Sequence, residues 1–463
     1  MSDLKHTARL SLIALALALG QSLLAQPTVL AASNVAAAAT PFTCDFRPSN
    51  EEAAFDVVPG KAGLFFRRDT DLEEFFELTP EAQHSFQQLV AALRVRGTDL
   101  VFVPLPPRGL VQYQYLDDTN LDQALYDRTF ALGEFKRYIE QLRGAGVTVV
   151  DLLAKVEADD LWDNFYYLRD HHWTTTGAHA AAAAVADALA ALPSVASLST
   201  YAFTTEQTGD VARKSPMGFE IQRRCGAEIP AEMDVSYATT RAAATADDLL
   251  GLTAKTPAIA LVGSSFSAGQ FHFADFISQE SSLEVANYAI DGAEFVGSLA
   301  SLVFSRNFVE VPPPAIVWEA PSYYNINLEL FSAVPQLLPA IYGPCAEDET
   351  IASSGQVNVG DKTQVLSFGE ADAITGDDFY LYIDGPEMGD TPVSVTLRYS
   401  DGDYYTASLG EFSRFVRDGR YFLQLNDEFE ASLLEVAVET PTPSTLTAKL
   451  CSVPAAFANI GDL

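Results

Sequence analysis

The hydrophobic pattern of the chain changes character once, near residue 350, and this change constrains the fold more than any other feature. Upstream, short apolar runs alternate with helical patterns. The runs Leu100–Pro104, Val147–Leu152, Ile259–Gly263, Leu283–Tyr288 and Ala315–Trp318 suit buried, largely parallel strands. Between them, Leu121–Arg143 reads as a helix stopped by Gly144 and Gly146, and Gly177–Leu192 as an Ala-rich helix with Thr174, Thr175 and Thr176 as candidate caps. Downstream, Thr363–Phe368, Phe379–Asp384, Val393–Tyr399, Tyr404–Leu409, Tyr421–Leu425, Leu433–Val438 and Thr445–Cys451 look like strands, several separated by turn pairs such as Gly385–Pro386 and Asp401–Gly402. The expected fold class is therefore α/β, a three-layer domain followed by a C-terminal β-sandwich.

Composition narrows the partners. With 28 Lys and Arg against 62 Asp and Glu, the 463-residue chain carries a formal charge of −34. A chain so acidic is a poor binder of nucleic acid or anionic membrane, because both require a basic face. Apolar residues at 48% exclude a disordered chain.

The first 32 residues read as a signal peptide. Lys5 and Arg9 precede an apolar run from Leu10 to Leu19, and small residues at Ala25 and at Ala31–Ala32 offer cleavage sites. Gly20–Gln21–Ser22 breaks the run well short of the ~20 residues a span requires, so stable membrane insertion is not expected. Four cysteines, Cys44, Cys225, Cys345 and Cys451, suit an exported chain with two disulfides. Three pairings exist. Cys345 and Cys451 bracket the strand-rich region, which favours Cys345–Cys451 and leaves Cys44–Cys225. A bridge closing a loop of about 105 residues stabilises by roughly 4–5 kcal/mol in the chain-entropy model.

Three stretches carry chemistry. Asp170-His171-His172-Trp173 lies just before the Ala-rich helix, and an Asp two residues from a His can hold that imidazole in the tautomer whose other nitrogen accepts a proton. Gly263-Ser264-Ser265-Phe266-Ser267 follows a strand at a tight turn, which exposes a serine at the carboxyl edge of a sheet. Pro104-Leu105-Pro106-Pro107-Arg108-Gly109 makes a rigid loop on the same edge. Taken singly, each is also an ordinary capped helix, strand–helix turn or loop. His171, His172 and His179 lack a Cys or second carboxylate at ligand spacing, so no metal is expected. In the acidic last region, with 21 Asp and Glu against 6 Lys and Arg from Ala346 on, Arg398, Arg414, Arg417 and Arg420 fall close together with Tyr399, Tyr404, Tyr405 and Phe415 among them. Guanidinium forks suit carboxylates and aromatic faces suit sugar rings, so Arg398 and Tyr399 are candidate sugar binders; local pairing with Asp and Glu is the alternative.

Together the set resembles the periplasmic alginate O-acetyltransferases of the AlgX type, within the SGNH-hydrolase-like group. The resemblance rests on Gly60-Lys61-x-Gly63-Leu-Phe, the Pro104 to Gly109 loop, Asp170 to Trp173, Gly263 to Ser267 and Trp318-Glu319-x-Pro321, spread over residues 55–325. The order also fits, because Asp170 and His172 precede Ser265, the reverse of ordinary SGNH esterases. The resemblance implies an SGNH-like acetyltransferase domain over residues 44–345, a carbohydrate-binding β-domain over 346–463, and a periplasmic location. It makes Ser265 the nucleophile, His172 the general base and Asp170 its partner, with Tyr324 in the family's tyrosine position and Arg108 among the substrate-binding candidates. Tyr323 stands where many relatives carry a basic residue. It implies no cofactor, an alginate-like anionic polysaccharide as acceptor, an acetyl donor and export-complex proteins as partners, and a monomer. A polysaccharide acetylesterase and a non-catalytic polymer-binding scaffold are the alternatives.

Overall fold

The computed structural model describes residues 42, 44–47, 55–242, 259–389, 391–416, 418–426 and 429–460, and the expected signal segment lies outside them. Among the described residues no helix is long and apolar enough to cross a membrane. All five apolar runs join one parallel sheet, in the order Thr148–Val149, Asp99–Leu105, Ala315–Pro321, Ile259–Val262, Val285–Asn287. The central strand Ala315–Pro321 is buried along its whole length, as a strand covered on both faces must be. Helices Pro80–Val95 and Ile326–Tyr342 pack together, as do Thr175–Ala190 and Phe273–Ser281. The expected long helix over Leu121–Arg143 is two, Leu121–Leu125 and Arg128–Gly144. Asp127 ends the first by capping the second, its carboxylate accepting from the N–H groups of Thr129 and Phe130.

Two hairpins escaped the hydrophobic pattern. Val57–Pro59 pairs with Phe65–Arg67, and Phe203–Arg213 pairs with Glu232–Arg241 around the helix Pro216–Cys225. The second hairpin is polar and largely exposed, so no apolar alternation announces it. The Cys44–Cys225 bridge ties that helix to the start of the described chain.

Downstream, eight strands form two antiparallel four-stranded sheets. One has the order Thr350–Val359, Ser444–Ser452, Phe379–Asp384, Arg420–Gln424, and the other Thr363–Ser367, Leu433–Glu439, Val393–Tyr399, Tyr404–Leu409. Their facing side chains, among them Leu381, Ile383, Val395, Leu397, Leu423, Val436 and Leu450, make a second core. The other face of the first sheet packs on the α/β core. Tyr380, Tyr382 and Phe422 join Tyr342 and Phe304 there, and the Cys345–Cys451 bridge forms beside them.

Candidate active site

Two segments far apart in sequence meet at the carboxyl edge of the parallel sheet. The first runs from Tyr167 to Thr175 and is held from three sides. The Arg108 guanidinium donates to the carbonyls of Tyr167 and Leu168. The Glu232 carboxylate accepts from the N–H groups of Leu168 and Arg169. Asp234, two residues along the same strand, accepts from Thr175 N–H and Oγ and from the Tyr167 hydroxyl. The Thr174 hydroxyl then caps the helix Thr175–Ala190, accepting from Gly177 N–H at 3.0 Å. The second segment is the turn after Ile259–Val262. The Trp173 indole N–H donates to the Phe266 carbonyl at 2.8 Å, which joins the two.

Where they join, Ser265 Oγ lies 2.8 Å from His172 Nε2, and His172 Nδ1 lies 2.7 Å from Asp170 Oδ1. A carboxylate only accepts, so the ring proton sits on Nδ1 and Nε2 accepts from the serine hydroxyl. Asp170 and His172 are buried and Ser265 is half-buried. Burial works to raise the Asp170 carboxyl, but hydrogen bonds from His172 and the Arg108 charge outweigh it and hold it below the usual value. Phe271 stacks on the His172 ring at 4.9 Å and Phe266 packs at 4.8 Å, which fixes the ring. His171 packs 3.9 Å from the His172 ring but makes no hydrogen bond to Ser265. Burial, then the nearby His172, Arg67 and Arg108, push its pKa well below normal, so His171 is neutral.

The turn itself is held group by group. Gly263 N–H donates to Ser298 Oγ, Ser264 N–H to Glu319, Phe266 N–H to Ser264 Oγ, Ser267 N–H to the Ser264 carbonyl and Ala268 N–H to the Ser265 carbonyl. Among the described residues, the Ser265 N–H has no acceptor. It is thus the turn's one open donor beside Ser265 Oγ, suited to an oxygen that gains negative charge.

Asp170, His171 and His172 also place ligand atoms within 4.8 Å of one another. The Asp170–His172 hydrogen bond and the Ser265 contact already occupy both His172 nitrogens, and His179 lies away from them with Glu280.

Other sequence candidates are placed differently. Arg108 is 1% exposed, and its guanidinium serves Phe65, Tyr167 and Leu168 carbonyls, Gln112 and Asp71. Arg108, expected among the substrate-binding residues, is thus buried and engaged by protein groups, and it holds the Asp170 segment. Tyr399 is 2% exposed and stacks on Phe429 at 4.4 Å inside the sandwich, so it offers no face to a sugar. Arg398 is exposed but pairs with Glu435 at 2.8 Å. Arg420 is buried and donates to the Phe304 carbonyl between the two cores, while Arg414 lies near Gly292. The arginines close in sequence thus belong to different surfaces, and Arg417 lies outside the described residues. Tyr324 is partly buried beside Tyr323, lining a cavity of about 300 Å³ with Phe75, Phe76 and Tyr138, and no hydrogen bond links it to Ser265. Where a basic residue was expected, the Tyr323 ring instead carries the Arg67 guanidinium 4.6 Å from its centroid.

A parallel-sheet domain with a Ser–His–Asp arrangement at its carboxyl edge, followed by a β-sandwich, has the layout of an α/β serine hydrolase or acyltransferase with an added β-domain. The family model described as "SGNH hydrolase-like domain, acetyltransferase AlgX" matches residues 57–322, more than half of the chain, and the chain belongs to that family. It is 27% identical to the alginate biosynthesis protein AlgX of Pseudomonas putida over 88% of each chain. To AlgX of Pseudomonas aeruginosa it is 26% identical over 94% of this chain and 92% of that one. The probable alginate O-acetylase AlgJ of Pseudomonas putida is 29% identical over 67% of this chain and 80% of its own. The solved structure of Pseudomonas aeruginosa AlgX has the same fold, with a TM-score of 0.75 at 24% identity over 86% of this chain and 94% of that chain.

Proposed function

We propose that this chain is an exported O-acetyltransferase, working in the periplasm, that moves acetyl groups onto hydroxyls of a polyuronate. The names of its relatives point to alginate. The observation that carries the reading is the Ser265–His172–Asp170 relay beside one open backbone N–H. His172 Nε2 takes the Ser265 proton as Oγ attacks the acetyl carbonyl of a donor ester. The tetrahedral oxyanion accepts from Ser265 N–H, and the leaving alcohol takes the proton back from His172. Asp170 keeps Nδ1–H in place throughout. In the second half a mannuronate hydroxyl gives its proton to His172 and attacks the acetyl-serine, and Ser265 Oγ is reprotonated as it leaves. No step requires a metal or nucleotide, and the acetyl donor is another protein of the export and acetylation machinery.

The test is mass spectrometry of the intact protein with an activated acetyl ester, then with mannuronate oligomers. An acetyl adduct on Ser265 that passes to oligomer is expected, and Ser265→Ala should lose about 10³-fold or more of the transfer. Transfer kept by Ser265→Ala and lost by Ser264→Ala would place the nucleophile one residue earlier. Acetyl released to water whatever the oligomer concentration would make the enzyme an esterase.

A further inference from the structure

Glu319 is a carboxylate in an unusual place. It is 1% exposed, and among the described residues no Lys or Arg pairs with it. A buried, unpaired carboxylate costs stability unless its lone pairs are filled. Here they are filled by one set of groups. Oε2 accepts from Ser264 N–H at 2.9 Å and from Ser267 Oγ at 2.9 Å, and Oε1 accepts from Ser264 Oγ at 3.0 Å. The donors lie immediately before Ser265 and two residues after it. The register of the sheet brings this about. Val262 is opposite Trp318, so Glu319 comes level with the start of the turn. Gly263 makes the room, because a Cβ there would lie 2.5 Å from Glu319 Oε2.

We propose that Glu319 is the positioning residue of the nucleophile: it clamps the turn on both sides of Ser265 and so aims Oγ at His172 while leaving the Ser265 N–H unspent. This rests on the reading of Ser265 as nucleophile. The clamp works through Ser264 and Ser267 and touches no reacting atom. Ser265 needs such external support. Its own Oγ is committed to His172, and the turn is one short 3₁₀ segment, Ser265–Ser267, with the regular helix beginning only at Phe273. A displacement of about 1 Å at a reacting atom can cost about 10²-fold in rate.

The test reads the rate at which Ser265 is phosphonylated by a small fluorophosphonate, together with kcat and KM for oligomer acetylation. Glu319→Asp is one methylene short and cannot reach both sides of the turn. It should slow labelling about 10- to 100-fold and lower kcat while KM stays as in the parent. Glu319→Gln keeps an oxygen for Ser264 N–H and Ser267 Oγ, and should stay within about 5-fold of the parent. Ser267→Ala removes one arm without burying a new charge. It should slow labelling about 3- to 10-fold, and it decides the matter if Glu319→Asp does not fold. Folded variants that label at the parent rate would overturn the clamp, as would a Gln variant as slow as the Asp one. A parent protein that never labels at Ser265 would instead overturn the nucleophile reading itself, and the clamp with it.

Discussion

At the scale of single residues, adjacent histidines have different work. His172 bridges Asp170 and Ser265, whereas His171 packs on its ring and is kept neutral by burial. His172→Ala should therefore be as damaging as Ser265→Ala, since in the proposed mechanism the two act as one unit, and His171→Ala should cost no more than about 10-fold. Equal losses in kcat/KM from both histidine variants, with circular dichroism unchanged, would contradict this division. Glu319 yields a second prediction, about stability. Burial raises its pKa from the ordinary 4.5 to about 7, against the hydrogen bonds from Ser264 and Ser267. Between those two values the folded state holds a proton that the unfolded state has lost, so this group's contribution falls as pH rises, and its cost is complete above about 7. Glu319→Gln removes the cost. Urea unfolding should show the variant more stable than the parent at pH 8, by no more than about 3 kcal/mol, and no such gain at pH 4. A difference that does not change with pH would show that the carboxylate is not held in its neutral form.

At the scale of elements, the strands of the parallel sheet were legible because strands buried on both faces read as unbroken apolar runs. Most sandwich strands were legible from alternation. The hairpin Phe203–Arg213 and Glu232–Arg241 was not, because its side chains are mostly exposed and its stability comes from pairing and from carboxylates it sends into the site. The edge strand Thr350–Val359, rich in Ser and polar residues, was missed for the same reason. The site divides likewise. Asp170 and His172 stand two residues apart and Ser265 follows a strand, so local spacing marks them. Glu319, Trp173 and Asp234 act on residues about 50 to 90 positions away, and no local pattern encodes that. The hairpin's role is testable at Asp234, which is 8% exposed and holds Thr175 and the Tyr167 hydroxyl. Asp234→Ala leaves those buried donors unpaired and should cost about 3 kcal/mol in urea unfolding. It should also lower kcat, because the Asp170–His172 segment loses its downstream anchor. Asp234→Asn, which keeps an acceptor, should cost less than half as much.

At the scale of the whole molecule, the sandwich and the α/β core share an apolar junction. Tyr380 and Phe457 pack on Tyr342, and Phe412, Phe415 and Phe422 surround Phe304. Polar contacts run through the same junction: Gly410 N–H donates to Gln336, Ser413 Oγ to the Gly292 carbonyl, and Arg420 to the Phe304 carbonyl. Gly297 sits so close to the Ser413 carbonyl that any side chain there would push the two parts apart. Sequence patterning separated these parts but gave no hint of the junction, because Tyr380, Tyr382 and Phe422 read as ordinary strand aromatics. The junction changes what deletion of the sandwich should do. A chain ending near Thr350 would bare Phe304 and Tyr342 and lose the Cys345–Cys451 bridge. At about 25 cal/mol per Å², several uncovered aromatic side chains amount to several kcal/mol, a large share of ordinary domain stability. The truncated chain should therefore melt at least about 10 °C lower and self-associate in sedimentation, with acetyl-ester cleavage falling in step with the folded fraction. A truncated chain that stays monomeric, melts with the parent and cleaves a small acetyl ester at the parent rate would show that the junction carries no stability and that the α/β part stands alone.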